Sequence, residues 1–420
     1  MSILCGTDLS GASSGALEVA RAIASQRGDA ELVLVHVVDP EATDEAADLP
    51  ALHRRLEAQA RDQAAAGPAI RLELVTGPAD QALVELAEAT GADLIVIAAQ
   101  SRGARATPLG TTATKVIART HVPVLAVRDP APWLAFARGT APLRVLVGID
   151  DSATCDLGIQ WTHALARRGA IDVVLGAIYY PDDAAAHYGL TARSFVDSDP
   201  EIERLMRRDL IRRFGGTASV ASVTACAHRG LGRIGDHMIE LARDQRVDVI
   251  VVGTGQKTGL DRLGSVSSVI LQDAPESVVC VPPQAIVATQ SVPVLAQALV
   301  ATDLSLFANR AVPYAFALTQ PGGEVHVLHV LKEDAEVDEP ELVRRLEALA
   351  PAGAAQKVTV HVVRGDDPAT TMAQCAARFG VDVICIASHG RSGITRALVG
   401  SVADRLLRVT RLPVLVLRPA

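Results

Sequence analysis

The sequence predicts an α/β protein made of three tandem, doubly wound, five-stranded parallel-sheet domains. Three observations carry that expectation. Short β-branched apolar runs alternate with helical patterns along the whole chain, and the same order of runs recurs three times. Aromatic residues make up only 3% of a chain that is 49% hydrophobic and 21% charged. Continuous apolar strands alternating with helices read as a parallel sheet buried on both faces. Right-handed crossovers then leave the doubly wound layer as the natural topology.

The elements justify themselves in order. "SILCGTDLSGASSGALEVARAIA" at the start recurs as "RVLVGIDDSATCDLGIQWTHALA" from Arg144 and as "QALVATDLSLFANRAVPYAFALT" from Gln297. Each is a first strand, a polar pair ending in Asp8, Asp150 or Asp303, and a helix. A second strand follows as "ELVLVHVVDP", "IDVVLGAIYYP" or "EVHVLHVLKED". After a charged helical segment come the third strands "IRLELVTGP", "SVTACAHRG" and "VTVHVVRGD". A helix leads to the fourth strands "ADLIVIAAQ", "VDVIVVGTG" and "VDVICIASHG". A glycine beside a hydroxyl residue then opens the next helix, as Gly110-Thr111, Gly264-Ser265 and Gly400-Ser401. The closing strands are "VPVLAVR", "ESVVCVPP" and "LPVLVLRP". Proline-containing linkers, "RDPAPWLAFARGTAPL" and "PPQAIVATQSVP", divide the chain into domains at 1–130, 143–284 and 296–420. Each is of common single-domain size.

Charge and composition exclude several classes. A net charge of −8 argues against a nucleic-acid partner held by phosphate neutralisation. No apolar run approaches the ~20 residues that cross a bilayer, so no membrane partner is expected. The N-terminus "MSILCGTDLSG" has neither a basic segment nor a signal-type core, and we expect a mature cytoplasmic protein. Six cysteines (Cys5, Cys155, Cys226, Cys280, Cys375, Cys385) form no CxxC pair and read as reduced, buried thiols. His326 and His329 resemble a metal-binding HxxH pair. On a strand, however, a three-residue offset sends them to opposite faces, so no metal site is expected.

In open α/β sheets ligands bind beyond the carboxyl ends of strands, where the strand order reverses. If strand 1 lies beside strand 4, the Asp after strand 1 and the glycine loop after strand 4 converge on one crevice. A helix N-terminus at Gly400-Ser401 suits a phosphate, and glycines around His389 let backbone amides approach an anion. A carboxylate opposite suits ribose hydroxyls or a base amino group. Bland alternatives stand beside this. Ser401 through Asp404 also fits a capping box, and Thr302-Asp303 fits an Asx turn. Asp404 would oppose a phosphate at that helix start. Walker A spacing is absent around "GTGQKTG" from Gly253, and no GxGxxG follows a first strand. No catalytic residues are assigned, because no Ser-His-Asp or paired-carboxylate arrangement is placed by the sequence.

The third copy resembles a universal stress protein domain. In that family a strand-1 Asp accompanies G-x2-G-x9-G-[S/T] after strand 4, a pattern that binds ATP in nucleotide-binding members. Here it reads Ala387-Ser-His389-Gly390, nine residues, then Gly400-Ser401, with Ala387 in place of the first glycine. The resemblance extends to all three copies. It implies a Rossmann-like fold of the adenine nucleotide alpha hydrolase type, with strand order 3-2-1-4-5. It also implies ATP, with or without magnesium, as cofactor. Thr302 and Asp303 would face the adenosine, and Val330 the base. Ile386, Ala387, His389 and Gly390 would line the ribose and phosphate loop. Gly400, Ser401 and Val402 would hold the terminal phosphates. The second copy keeps Asp150, Gly253, Gly255, Gly264 and Ser265, lacks the histidine and has a shorter loop. The first keeps Asp8 and Gly110-Thr111, but "AAQSRGARATPLG" has lost the leading glycines, which makes it structural. Family members commonly dimerise through the closing strand, so three copies imply one intramolecular pairing and one homodimer contact. The expected function is a cytoplasmic ATP-binding stress-response module. A nucleotide-independent scaffold and a slow adenine-nucleotide hydrolase are the alternatives.

Overall fold

A computed structural model describes residues 2–39, 48–62, 67–99, 110–150, 152–191, 197–216, 220–255, 265–285, 294–387 and 400–417. His389, Gly390 and Gly264 of the expected sites lie outside these residues. The first repeat runs β1 (Ile3–Thr7), α1 (Gly11–Arg27), β2 (Glu31–Val38), α2 (Leu49–Asp62), β3 (Ala69–Thr76), α3 (Ala79–Thr90), β4 (Leu94–Ala98), α4 (Thr111–Arg119) and β5 (Val124–Val127). A further helix, α5 (Ala131–Ala137), follows. The second repeat runs β6 (Leu143–Gly148), α6 (Ala153–Ala166), β7 (Ile171–Tyr179), α7 (Pro181–Tyr188), α8 (Pro200–Phe214), β8 (Val220–Arg229), α9 (Ile234–Asp244), β9 (Val249–Gly253), α10 (Ser265–Asp273) and β10 (Ser277–Val281). The third runs β11 (Gln297–Ala301), α11 (Ala311–Leu318), β12 (Glu324–Leu331), α12 (Glu339–Glu347), β13 (Lys357–Arg364), α13 (Pro368–Phe379), β14 (Val383–Ala387), α14 (Ser401–Val409) and β15 (Val414–Leu417).

Every repeat has the order 3-2-1-4-5, but the sheets number two. A ten-stranded sheet runs β3-β2-β1-β4-β5-β10-β9-β6-β7-β8, and a five-stranded one runs β13-β12-β11-β14-β15. All pairings within a repeat are parallel. The seam between β5 and β10 is antiparallel, with Val279 opposite Leu125. Arg128 reinforces it: its amide donates to Ser277 Oγ at 3.1 Å and its Nη2 to the Leu271 carbonyl at 2.8 Å. The chain gathers into two compact units, Met1–Tyr180 with Met206–Thr289, and Pro181–Leu205 with Gln290–Ala420. In the second unit α7 lies on α13, where Gln374 Nε2 donates to the Ala186 carbonyl at 3.2 Å.

The period-2 pattern divides each strand between two cores. Ile3, Cys5, Leu32 and Leu34 join Leu17 and Ala20 of α1, while Leu4, Val33 and Val35 join Leu83 of α3. In the third repeat Val325 and Val327 meet Val312 and Phe316, and Leu328 meets Met372 and Leu406. Each fully buried Leu, Ile or Phe side chain contributes about 1.5–3 kcal/mol. The stretch expected to be a linker after β5 is instead ordered as α5, because its apolar residues are core: Trp133 and Phe136 are fully buried. All six cysteines are free thiols, and burial pushes Cys5, Cys155 and Cys385 up to about 12 and Cys375 up to about 11.

Candidate functional site

Strand 1 lies beside strand 4 in every repeat, as β1–β4, β6–β9 and β11–β14. The order reversal that the sequence argument required therefore exists three times. In the third repeat the chain leaves β11 through Thr302 and Asp303. Thr302 is 5% exposed, and its amide continues the ladder to the Leu328 carbonyl at 3.0 Å. Leu304 N donates to Thr302 Oγ1 and Ser305 N to Asp303 Oδ1, both at 2.9 Å. These two side-chain turns hold Leu304 at φ +65°, a left-handed conformation that costs a leucine roughly 1 kcal/mol. The Asx turn of the bland reading is thus present, and it leaves the Asp303 side of the loop exposed.

The first repeat builds the same strained turn. Leu9 has φ +60°, Leu9 N donates to Thr7 Oγ1 at 2.9 Å, and Ser10 N donates to Asp8 Oδ1 at 3.0 Å. A histidine from strand 2 backs both turns. His36 Nδ1 bonds the Thr7 carbonyl at 2.8 Å, and His329 Nδ1 the Thr302 carbonyl at 2.7 Å. A carbonyl can only accept, so each imidazole carries its proton on Nδ1. Sequence reasoning missed this role; the signal was the recurrence of His at one strand-2 position in "ELVLVHVVDP" and "EVHVLHVLKED". His326, three residues before His329, faces the other side of the sheet, where it stacks with His361 and Phe379.

At the opposite wall α14 opens at Gly400. This residue is the N-cap and makes no side-chain cap bond, while Ser401 is already helical. The capping box weighed for Ser401 and Asp404 is not formed. Asp404 instead pairs with Arg408 one turn on, Nε to Oδ2 at 3.1 Å, which tempers its repulsion of an anion at the helix start. Ser401 and Val402 are exposed, Ile386 is buried, and Ala387 and Val330 are half-buried. Val330 shares the face of Leu328 and packs into the core under α13 and α14. The first repeat starts α4 the same way, at Gly110 without a side-chain cap.

The second repeat has a different character. Ser152 N donates to Asp150 Oδ1 at 2.8 Å, and Arg213 of α8 reaches over the loop. Its Nε meets Asp156 Oδ1 at 2.8 Å, its Nη2 the Ser152 carbonyl at 2.9 Å, and its Nη1 the Asp150 carbonyl. Gly253 ends β9 where a Cβ would come within 2.8 Å of the Thr154 backbone, so packing of α6 alone demands glycine there. Gly255 lies just beyond, half-buried, and Ser265 is the first residue of α10.

The profile of the Universal stress protein family matches residues 1–128, 143–282 and 296–418. The chain belongs to the universal stress protein family. Among curated relatives, a universal stress protein of Mycobacterium tuberculosis is 29% identical over 198 residues, which cover 43% of this chain and 64% of the relative. A Mycobacterium bovis universal stress protein matches equally. The chain thus spans less than two thirds of these relatives' length. Among solved structures, a universal stress protein from Archaeoglobus fulgidus is 18% identical with a TM-score of 0.46, covering 66% of this chain and 97% of its own. A universal stress protein in complex with cAMP is 21% identical with a TM-score of 0.26, covering 30% and 100%. In each of its three repeats this universal stress protein chain sets strand 1 beside strand 4.

Proposed function

We propose that the third repeat binds an adenine nucleotide, ATP foremost, and that the protein acts as a cytoplasmic stress-response binding module. The observation carrying this reading is the pairing at one switch point of the exposed Asp303 turn with a helix start at Gly400 that has no side-chain cap. The amide donors and positive dipole end of a helix N-terminus suit phosphates, and an acid across the crevice suits ribose or base donors. In this reading Thr302, Asp303 and Val330 meet adenosine, and Ile386, Ala387, His389 and Gly390 the ribose and phosphate loop. Gly400, Ser401 and Val402 hold the terminal phosphates, with magnesium carried by the nucleotide. The second repeat, through Asp150, Gly253, Gly255, Gly264 and Ser265, binds more weakly, because Arg213 already pins its first loop. Calorimetric titration of the whole chain with ATP, ADP, AMP and cAMP tests this. ATP heat that is abolished by Gly400→Val supports the reading; no heat with any nucleotide returns the scaffold alternative.

The same reading includes a homodimer through β15. Strands β5 and β10, which pair with each other, are fully buried, whereas every residue of β15 is half-exposed and its described pairing is with β14 alone. An exposed apolar edge seeks a partner, and the antiparallel β5–β10 seam within the chain supports an antiparallel pairing between copies. A sedimentation mass of one chain across micromolar concentrations would reject it.

A further inference from the structure

The third repeat carries a histidine pair, one member buried and the other half-buried, that the nucleotide reading does not use. His326 on β12 and His361 on β13 face each other, Nδ1 to Nε2, at 3.0 Å. Phe379, the last residue of α13, lies over both rings, with centroids 4.0 Å from His361 and 5.1 Å from His326. His326 is 7% exposed, and its Nε2 is buried without a hydrogen-bond partner. The cluster joins an edge strand to the end of a covering helix. Strand registers place Val33 and Glu73 at the two histidine positions in the first repeat, and Val174 and Cys226 in the second. The helix-end position is Thr90 and Gln245 there. The stack thus belongs to one repeat of three.

We propose that His326 and His361 form a proton-operated latch, which holds β13 to the end of α13 when neutral and releases that corner of the third repeat on acidification. The hydrogen-bond arithmetic is restrictive. Two neutral imidazoles share one proton across the 3.0 Å gap, and a first added proton can sit only on an outer nitrogen. For His326 that is the buried, unpartnered Nε2. A second proton sets N–H against N–H and breaks the bond. The charged groups acting on the pair are Glu324 of β12, which favours protonation, and Lys357 of β13, which opposes it at His326 and is itself bonded to Glu324 at 2.9 Å. From α13 the cluster receives the uncharged Phe379 ring. Burial outweighs Glu324, holding His361 below the ordinary histidine range and His326 at about 4. Depressed folded-state values mean that the open form takes protons first. The stabilisation is therefore complete above the ordinary histidine value of about 6.5 and falls away as pH drops toward 4, by roughly a hundredfold in the closed-to-open ratio.

Hydrogen exchange on the full chain without nucleotide, corrected for the intrinsic pH dependence, tests the latch. Between pH 7.5 and 5, peptides over 357–364 and 372–381 should lose protection at least tenfold, while those over 69–76 and 220–229 stay nearly constant. His326→Leu with His361→Leu should remove the difference. Equal loss in all three repeats, or the same loss in the double variant, overturns the proposal. Should that variant not fold, ring-proton titration of the native protein decides: two coupled histidines titrating below the ordinary histidine range support the latch, and two titrating at ordinary values refute it.

Discussion

In the second and third repeats the aspartate that precedes strand 4 fastens the beginning of strand 1, and its removal should destabilise the two unequally. Asp382 Oδ2 accepts from both Ala296 N and Gln297 N at 2.7 Å. Asp248, its counterpart, accepts among the described residues from Arg144 N alone, at 2.8 Å, and burial raises its carboxyl above the ordinary range. A hydrogen bond to a charged group contributes about 1.5–3 kcal/mol. Asp382→Ala loses two, sharing one oxygen and partly open to water, so its cost should be about 3 kcal/mol. Asp248→Ala loses one bond and also sheds a desolvated charge, for a net of about 1 kcal/mol. In a unit of roughly 150–250 residues each kcal/mol moves the melting temperature by about 2–4 °C. Calorimetry should therefore show a fall of about 6–12 °C for Asp382→Ala and about 2–4 °C for Asp248→Ala, with Asp382→Asn between. Equal shifts, or a larger one for Asp248→Ala, would refute the bond-counting argument.

Two further outcomes are expected. Arg246 sits at φ +49° where the other repeats place the left-handed glycines Gly91 and Gly380, and it is exposed, so Arg246→Gly should stabilise the protein by about 1 kcal/mol in urea unfolding. Thiols raised to about 12 stay protonated at pH 8, so Cys5, Cys155 and Cys385 should react with a disulfide reagent about a thousandfold more slowly in the native protein than in guanidinium, with the rate rising with pH.

The strand order and the placing of Thr302, Asp303 and Gly400 were legible because they rest on local signals: β-branched runs, an Asp at a strand end, a glycine before a helix. What escaped depends on partners distant in sequence. Trp133 and Phe136 sit between prolines and glycine in a stretch that looks like a tether, and only the groove they fill makes it a helix. Asp248 and Asp382 look like ordinary loop acids, since their acceptor role needs a strand some hundred residues earlier to start beside them. The choice of Gly400 over Ser401 as cap is a matter of one residue, which the pattern S-V-A-D misread. The HxxH spacing of His326 and His329 suggests a metal pair only until the strand puts them on opposite faces, and it gives no hint that the partner of His329 is a backbone carbonyl on the adjoining strand.

The join at β5 and β10 has a consequence for how this chain could have diverged. Where two identical subunits meet about a twofold axis, each substitution is met by its own copy, which constrains change. Here the facing strands "VLAV" and "SVVCV" belong to one polypeptide and differ in sequence, and Arg128 braces the union from one side with contacts of its own. Dilution cannot separate them, because tethering replaces mass action with a fixed local concentration. The first two repeats are thereby joined without either having to match an identical copy of itself.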